Sequence, residues 1–185
     1  MLETKLLLNS TISDAGKGVC FLSTNLKDFF LASPIATPEF MRVLLSKFPP
    51  DIIERYNSEK KVAADGCVYI KIKKGMYGLK QAAILAYVQL TEFLERLGYF
   101  PEPHCMGLWS HKTQKTKFCL CVEDFGIKYH SQDNANYLLS CLKQHYKIST
   151  NWTGTNCCGL TLEWDFDNHW VDISMPNYVK KQLGR

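Results

Sequence analysis

Apolar and polar positions change period several times along this chain, and each change marks an element. Val68-Tyr69-Ile70-Lys71-Ile72 alternates with the two-residue period of a half-buried strand. From Gln81 to Leu97 the period lengthens: Leu85, Val88, Leu90, Phe93, Leu94 and Leu97 recur at helical spacing, and Gly98 ends the run. Asp133 to Tyr146 repeats that pattern through Ala135, Leu138, Leu139 and Leu142. Short apolar runs fill the intervals. Val19 to Leu22 leads into Asn25-Leu26-Lys27-Asp28-Phe29-Phe30-Leu31, and Phe40 to Leu45 reads as another strand. Pro49-Pro50-Asp51 introduces a short helix over Ile52 to Tyr56. Gly107 to His111 and Lys117 to Val122 flank the polar stretch Lys112 to Thr116 as a hairpin, and Phe125 to Tyr129 follows. Cys158 to Trp164 and Trp170 to Ile173 are two further strands, and Pro176 opens a last helix. Strands and helices in this order predict an α+β fold, an antiparallel sheet with helices packed on one face.

With 185 residues, 46% of them hydrophobic and 12% aromatic, the chain fits one domain with a real core and excludes wholesale disorder. A net charge of +4 permits a nucleic-acid partner without demanding one. No apolar run approaches the roughly 20 residues that span a bilayer, so no membrane role is expected. The eight cysteines, several inside apolar segments (Cys67, Cys119, Cys121, Cys141), occur with neither a CxxC nor a signal peptide. That pattern suits a reduced intracellular protein of the cytoplasm or nucleus better than a secreted disulfide scaffold. Cys119-x-Cys121 and Cys157-Cys158 lack the spacing of a zinc motif and a nearby second pair, which excludes a zinc site.

The segment richest in chemistry is Cys121-Val122-Glu123-Asp124-Phe125-Gly126, two adjacent acids between two apolar runs. It reads as two strands joined by a tight acidic turn. Side-by-side carboxylates between buried strands raise each other's electrostatic cost, which a divalent cation offsets, and hard oxygen donors suit Mg²⁺. A solvated hairpin turn would use the same residues without a metal.

Lys74-Gly75-Met76-Tyr77-Gly78-Leu79-Lys80-Gln81-Ala82 resembles the YGLKQA motif of copia-type retrotransposon polymerases, and the element order resembles a reverse-transcriptase palm. The resemblance runs from about Thr4 to Leu183. It implies a reverse-transcriptase-like domain over 1–185, with partial fingers and palm over about 1–150 and a primer-grip-like hairpin with the start of a thumb over about 151–185. Glu123 and Asp124 stand where the family binds catalytic metal, normally through two aspartates. Asn25 stands at the family's first catalytic aspartate, and Phe30, five positions on, where an aromatic residue would lie under the nucleotide sugar. Gln81 would lie near nucleotide or template, and Cys158 with Gly159 falls in the primer-gripping hairpin. Outside the resemblance Phe30 reads more readily as core, and Gln81 more readily as helix-start decoration. Lys71, Lys73, Lys74 and Lys80 read as phosphate contacts or as an ordinary solvent face.

The family's reaction uses two Mg²⁺ ions (or Mn²⁺), an RNA template, a DNA primer and a deoxynucleoside triphosphate. Two departures touch that chemistry. Asn25 brings no charge where an aspartate is required, and Glu123 is one methylene longer than the family residue. The sequence starts a short way before the first motif and ends at the first thumb-like helix, as a fragment of a Pol polyprotein would. The expectation is therefore an impaired or inactive retrotransposon polymerase domain; alternatively, a non-catalytic relic or co-opted nucleic-acid-binding module.

Overall fold

The computed structural model describes residues 2–184. Contacts divide the chain into two compact units, one of residues 30–88 and one of residues 1–29 with 89–185. In chain order the elements are α1 (Leu2–Ser13), β1 (Cys20–Lys27), β2 (Pro34–Leu44), α2 (Pro50–Tyr56), β3 (Cys67–Lys74) and α3 (Lys80–Arg96). They continue with β4 (Tyr99–Glu102), β5 (Cys105–His111), β6 (Thr116–Cys121), β7 (Asp124–Tyr129), α4 (Gln132–His145) and β8 (Lys147–Asn151). Strands β9 (Asn156–Cys157), β10 (Leu160–Asp165) and β11 (Trp170–Ser174) precede α5 (Pro176–Leu183). The fold is α+β. Among the described residues no helix is long and apolar enough to cross a membrane.

The larger unit is built on a six-stranded antiparallel sheet in the order β4-β5-β6-β7-β1-β8, with β1 between β7 and β8. Strand alternation gives this sheet two different faces. On one, Leu22 lies opposite Ile127, Ile127 opposite Phe118, and Phe118 opposite Trp109; all four are buried. Helix α4 covers this face: its Ala135, Leu138, Leu139 and Leu142 are buried, and Tyr137 meets His111 edge-on. Ser131 caps α4 by accepting from the Asp133 backbone N–H, which satisfies one of the amides left unpaired in the first turn. The second half of α3 joins this layer through Phe93, which packs against His145 and Tyr146.

The other face carries Phe21, Cys119, Gly126 and Lys128, and α1 crosses it, burying Leu7 and Leu8 against Phe21 and Cys119. Polar contacts hold α1 in register. The Lys128 ammonium, only 5% exposed, donates to the Ser10 carbonyl, the Ser10 hydroxyl and Asp14 Oδ2 at 2.6–2.8 Å. Hydrogen bonds from Lys128 and then Lys17 hold the Asp14 carboxyl well below the usual aspartate range. The small sheet β11-β10-β9 packs on the same face through Cys157, Leu160 and Leu162.

Gly126 is what allows this close approach. A Cβ there would meet the Cys157 and Cys119 sulfurs at 2.8 and 3.0 Å and the Phe21 ring at 3.0 Å. None of these atoms has free space behind it, because all three residues are buried.

The smaller unit is the antiparallel ribbon β2–β3, running from Val43 opposite Val68 to Glu39 opposite Ile72, with an irregularity between Pro34 and Glu39. Strand β2 begins before the expected Phe40 because Pro34 already lies opposite Lys74, and Pro38 sits within the irregular stretch. Gly75 rests on the Phe30 carbonyl, where a Cβ would come to 2.2 Å, and donates its N–H to Ser33 at 2.8 Å. Helix α3 turns small residues inward in this unit, Ala82 and Ala86, while Val88, expected on the apolar stripe, is 45% exposed.

Gly126→Ala is expected to lower unfolding stability by about 1–3 kcal/mol through overpacking. Chemical denaturation of the two proteins side by side measures this; an unchanged midpoint would show that the α1 face is looser than described.

Candidate active site

Strand β1 is the element around which the candidate site is built. Because its neighbours are β7 on one side and β8 on the other, Asn25 lies directly opposite Asp124 and directly opposite Ser149. Asn25 shares a face with Phe21 and Ser23, the α1 face, by strand alternation. Asn25 and Asp124, drawn from segments far apart in sequence, are thus brought side by side by sheet pairing.

Their interaction is a hydrogen bond. Asn25 Nδ2 donates to Asp124 Oδ1 at 2.8 Å. The direction follows from chemistry, since an ionised carboxylate can only accept and the amide NH₂ can only donate. Burial pushes the Asp124 carboxyl above the usual aspartate range, and the bond from Asn25 works against that rise without reversing it. Glu123 is also raised, first by burial and then by the neighbouring Asp124 charge.

The two acids are not equivalent. The turn lies one residue earlier than an acidic turn at Glu123-Asp124 would place it: β6 ends at Cys121, Val122 and Glu123 form the turn, and Asp124 opens β7 opposite Cys121. Val122 has φ +58°, whereas Glu123 is not in the left-handed region, the sign pattern of a type II′ turn. A β-branched residue in that region is strained, and such strain persists only where the surroundings hold it. Here β1 holds it, since the Leu26 N–H donates to the Glu123 carbonyl at 2.9 Å. Asp28, exposed and itself at φ +56°, lies beyond the end of β1 and supplies no carboxylate beside Asp124.

The hairpin β9–β10 closes the site on the α1 face. Cys158 and Gly159, with φ +51° and +78°, are the two central residues of its turn, both in the left-handed region as a type I′ turn requires. The Ser23 hydroxyl donates to the Asn156 carbonyl, tying β9 to β1. Between these elements lies a pocket of about 210 Å³ whose lining includes Asn25, Asp124, Ser149, Asn151, Cys158 and Gly159. Four of the residues singled out from sequence therefore meet at one place: Asn25, Asp124, Cys158 and Gly159.

Phe30 and Gln81 belong to the unit of residues 30–88. Phe30 is 8% exposed and packs edge-on against Tyr77 at 4.9 Å, so it is in contact with the YGLKQA-like segment. Gln81, in the first turn of α3, donates through Nε2 to Glu39 Oε1 on β2. Lys71, Lys73, Lys74 and Lys80 are all exposed. Ser149 and Asn151, which β8 contributes to the pocket, carried no motif; the alternation within Lys147-Ile148-Ser149-Thr150-Asn151 was the available signal.

The donor set does not fit a pair of Mg²⁺ ions. One carboxylate, Asp124, faces the pocket, and one of its oxygens is already engaged by Asn25. Asn25 presents an NH₂ group, not a second anionic oxygen.

No protein-family model and no curated protein matches the sequence. Among solved structures the chain is similar to apo telomerase from Candida tropicalis, with 10% identity, a TM-score of 0.44, and coverage of 91% of this chain and 35% of that one. It is also similar to telomerase from Candida albicans in complex with a fragment of telomeric RNA, with 13% identity, a TM-score of 0.43, and coverage of 84% and 32%. The chain thus spans about a third of the length of each.

The raised Asp124 carboxyl has a consequence for stability. The folded state binds this proton more tightly than the unfolded chain, so its contribution is present at low pH and is lost as pH rises from about 3.9 through the raised value. Asp124→Asn keeps an acceptor for Asn25 and removes the buried charge. It is expected to raise Tm at pH 7 by about 2–4 °C, the shift of roughly 1 kcal/mol in a chain this size, and to have no advantage near pH 3. Thermal melts at the two pH values check the sign.

Proposed function

We propose that this chain is a reverse-transcriptase-type palm of retrotransposon origin whose metal site has been disarmed by substitution. By ancestry its reaction is template-directed DNA synthesis; in its present form it does not catalyse nucleotidyl transfer. The observation that carries the reading is the pairing of Asn25 with Asp124 across neighbouring central strands. A palm needs two carboxylates converging from separate strands at that place, and here one of the two is an amide bonded to the other. The YGLKQA-like string, with Gly75 seated on the Phe30 backbone, supports the same ancestry. So does the Cys158-Gly159 turn, which lines the same pocket as Asn25 and Asp124, as a primer-gripping hairpin would.

The loss of activity follows from charge and geometry. Replacing the Asn25 amide with a carboxylate would remove the donor that now occupies Asp124 and add the missing negative charge. Returning Glu123 to aspartate would retract its carboxylate by one methylene, a displacement of about an ångström, which in a positioned site is worth roughly a hundredfold. An Asn25→Asp, Glu123→Asp double variant is therefore expected to gain Mg²⁺ or Mn²⁺ binding, read as a cation-dependent rise in Tm that the unmodified chain lacks. Primer extension on an RNA template is the companion assay. Extension by the unmodified chain would overturn the reading of a disarmed site, and absence of cation binding in the double variant would overturn the assignment of these positions.

A second reading, retained nucleic-acid binding without catalysis, is favoured by Lys71 and Lys73, exposed on one face of β3. Binding of an RNA·DNA primer–template by fluorescence anisotropy, repeated over a salt series, tests it. Lys71→Glu with Lys73→Glu is expected to weaken binding at least about tenfold and to lower the salt slope by about 2. Equal binding by this variant would mean the strand is an ordinary solvent face.

A further inference from the structure

We propose that Cys119, Cys157 and Cys158 form a three-thiolate site for one soft d¹⁰ cation, Zn²⁺ or Cu(I), in the wall of the Asn25–Asp124 pocket. Spacing along the chain argued against such a site; the fold reverses that conclusion by bringing β6 and the β9–β10 turn together. The three Sγ atoms all lie within 4.8 Å of one another, and Cys157 and Cys158 are separated by 3.6 Å. Thiolates bound to one ion at about 2.3 Å are roughly 3.8–4.0 Å apart, so closing around an ion requires only small side-chain movements.

Neighbouring residues in a strand point to opposite faces, so vicinal cysteines cannot ordinarily present both sulfurs to one point. Here the left-handed conformation of Cys158, φ +51°, breaks the alternation and turns its sulfur back beside that of Cys157. Cys119 reaches the same point from β6, across the space kept open by the missing side chain of Gly126, where a Cβ would touch both the Cys119 and the Cys157 sulfurs. The absence of a Cβ at position 126 is what permits the cluster.

The surroundings suit bound thiolates. The Thr4 side chain, 2% exposed, stands beside the sulfurs of Cys119 and Cys158, and Gly126 beside that of Cys119. Such outer contacts orient the ligands and lower the cost of their charge. A cation replaces the thiol protons, which leave to solvent as the metal–sulfur bonds form. Cys119 and Cys157 are buried, but Cys157 and Cys158 line the pocket, so an ion has a route in. The site is independent of the nucleotidyl-transfer reading, since none of its ligands is a carboxylate of the palm.

The test uses the full chain, fully reduced. Zn²⁺ is titrated calorimetrically in two buffers of different ionisation enthalpy to count released protons, and Cu(I) is titrated against a chromogenic chelator. One equivalent of at least one ion with proton release is expected. Cys119→Ala, Cys157→Ala and Cys158→Ala should each weaken binding at least about a hundredfold, whereas a Cys20→Ala, Cys105→Ala control should bind as the unmodified chain does. Cys158 is half-exposed in a turn, so Cys158→Ala leaves the core filled and keeps the test decisive if the buried variants do not fold. Absence of stoichiometric uptake of both ions, or undiminished affinity in Cys158→Ala, would overturn the proposal.

Discussion

The antiparallel pairing of β1 with β7 is the constraint on which the candidate site rests. A strand pair has a side-chain period of two, so a slip of one residue would send Asn25 to the α4 face and bring Thr24 into its place. Register is held from both sides. On the α4 face Leu22 and Ile127 are buried opposite each other, and on the α1 face Ser23 and Gly126 accept the close approach of β9. The polar pair Asn25–Asp124 is therefore positioned by apolar burial at its flanks, and its own hydrogen bond only sets the final orientation.

Two hairpin turns with different backbone signs frame that pair. Val122 and Glu123 turn with one residue in the left-handed region, and Cys158 and Gly159 turn with two. In each, a non-glycine residue accepts a conformation that costs free energy, and in each the surrounding contacts hold it: the Leu26–Glu123 bond for one, the Ser23–Asn156 bond for the other. Both bonds originate on β1. The strand that supplies Asn25 thus also fixes the two turns around it, which couples the geometry of the pocket to a single element.

The faces of the sheet divide the protein's chemistry. The α4 face is an aromatic and aliphatic core in which Phe118, Phe125, Trp109 and Tyr99 meet at centroid distances of 5.1–5.9 Å. The α1 face collects the polar and sulfur-bearing groups: Lys128 with Asp14, Asn25 with Asp124, and the three thiols around Gly126. Small side chains there, glycine, serine and cysteine, let the short hairpin β9–β10 approach closely enough to enclose a pocket.

Helices α3 and α4, the strands β3 and β5 to β7, and the acidic pair were all legible from local pattern, because periodicity and turn chemistry act over a few residues. Strands β4 and β8 were not, since each is only 4 or 5 residues long and is specified by its neighbours in the sheet. The sequence by itself determined the α+β class, the candidate residues Asn25 and Asp124, and the single negative charge that the pair can carry, because residue identity settles charge. Which residues meet was decided by tertiary structure. Pairing of β1 with β7 and β8 set Asn25 against Asp124 and Ser149, the β6–β7 register put the turn at Val122–Glu123, and the packing of β9–β10 on the sheet brought Cys157 and Cys158 to Cys119.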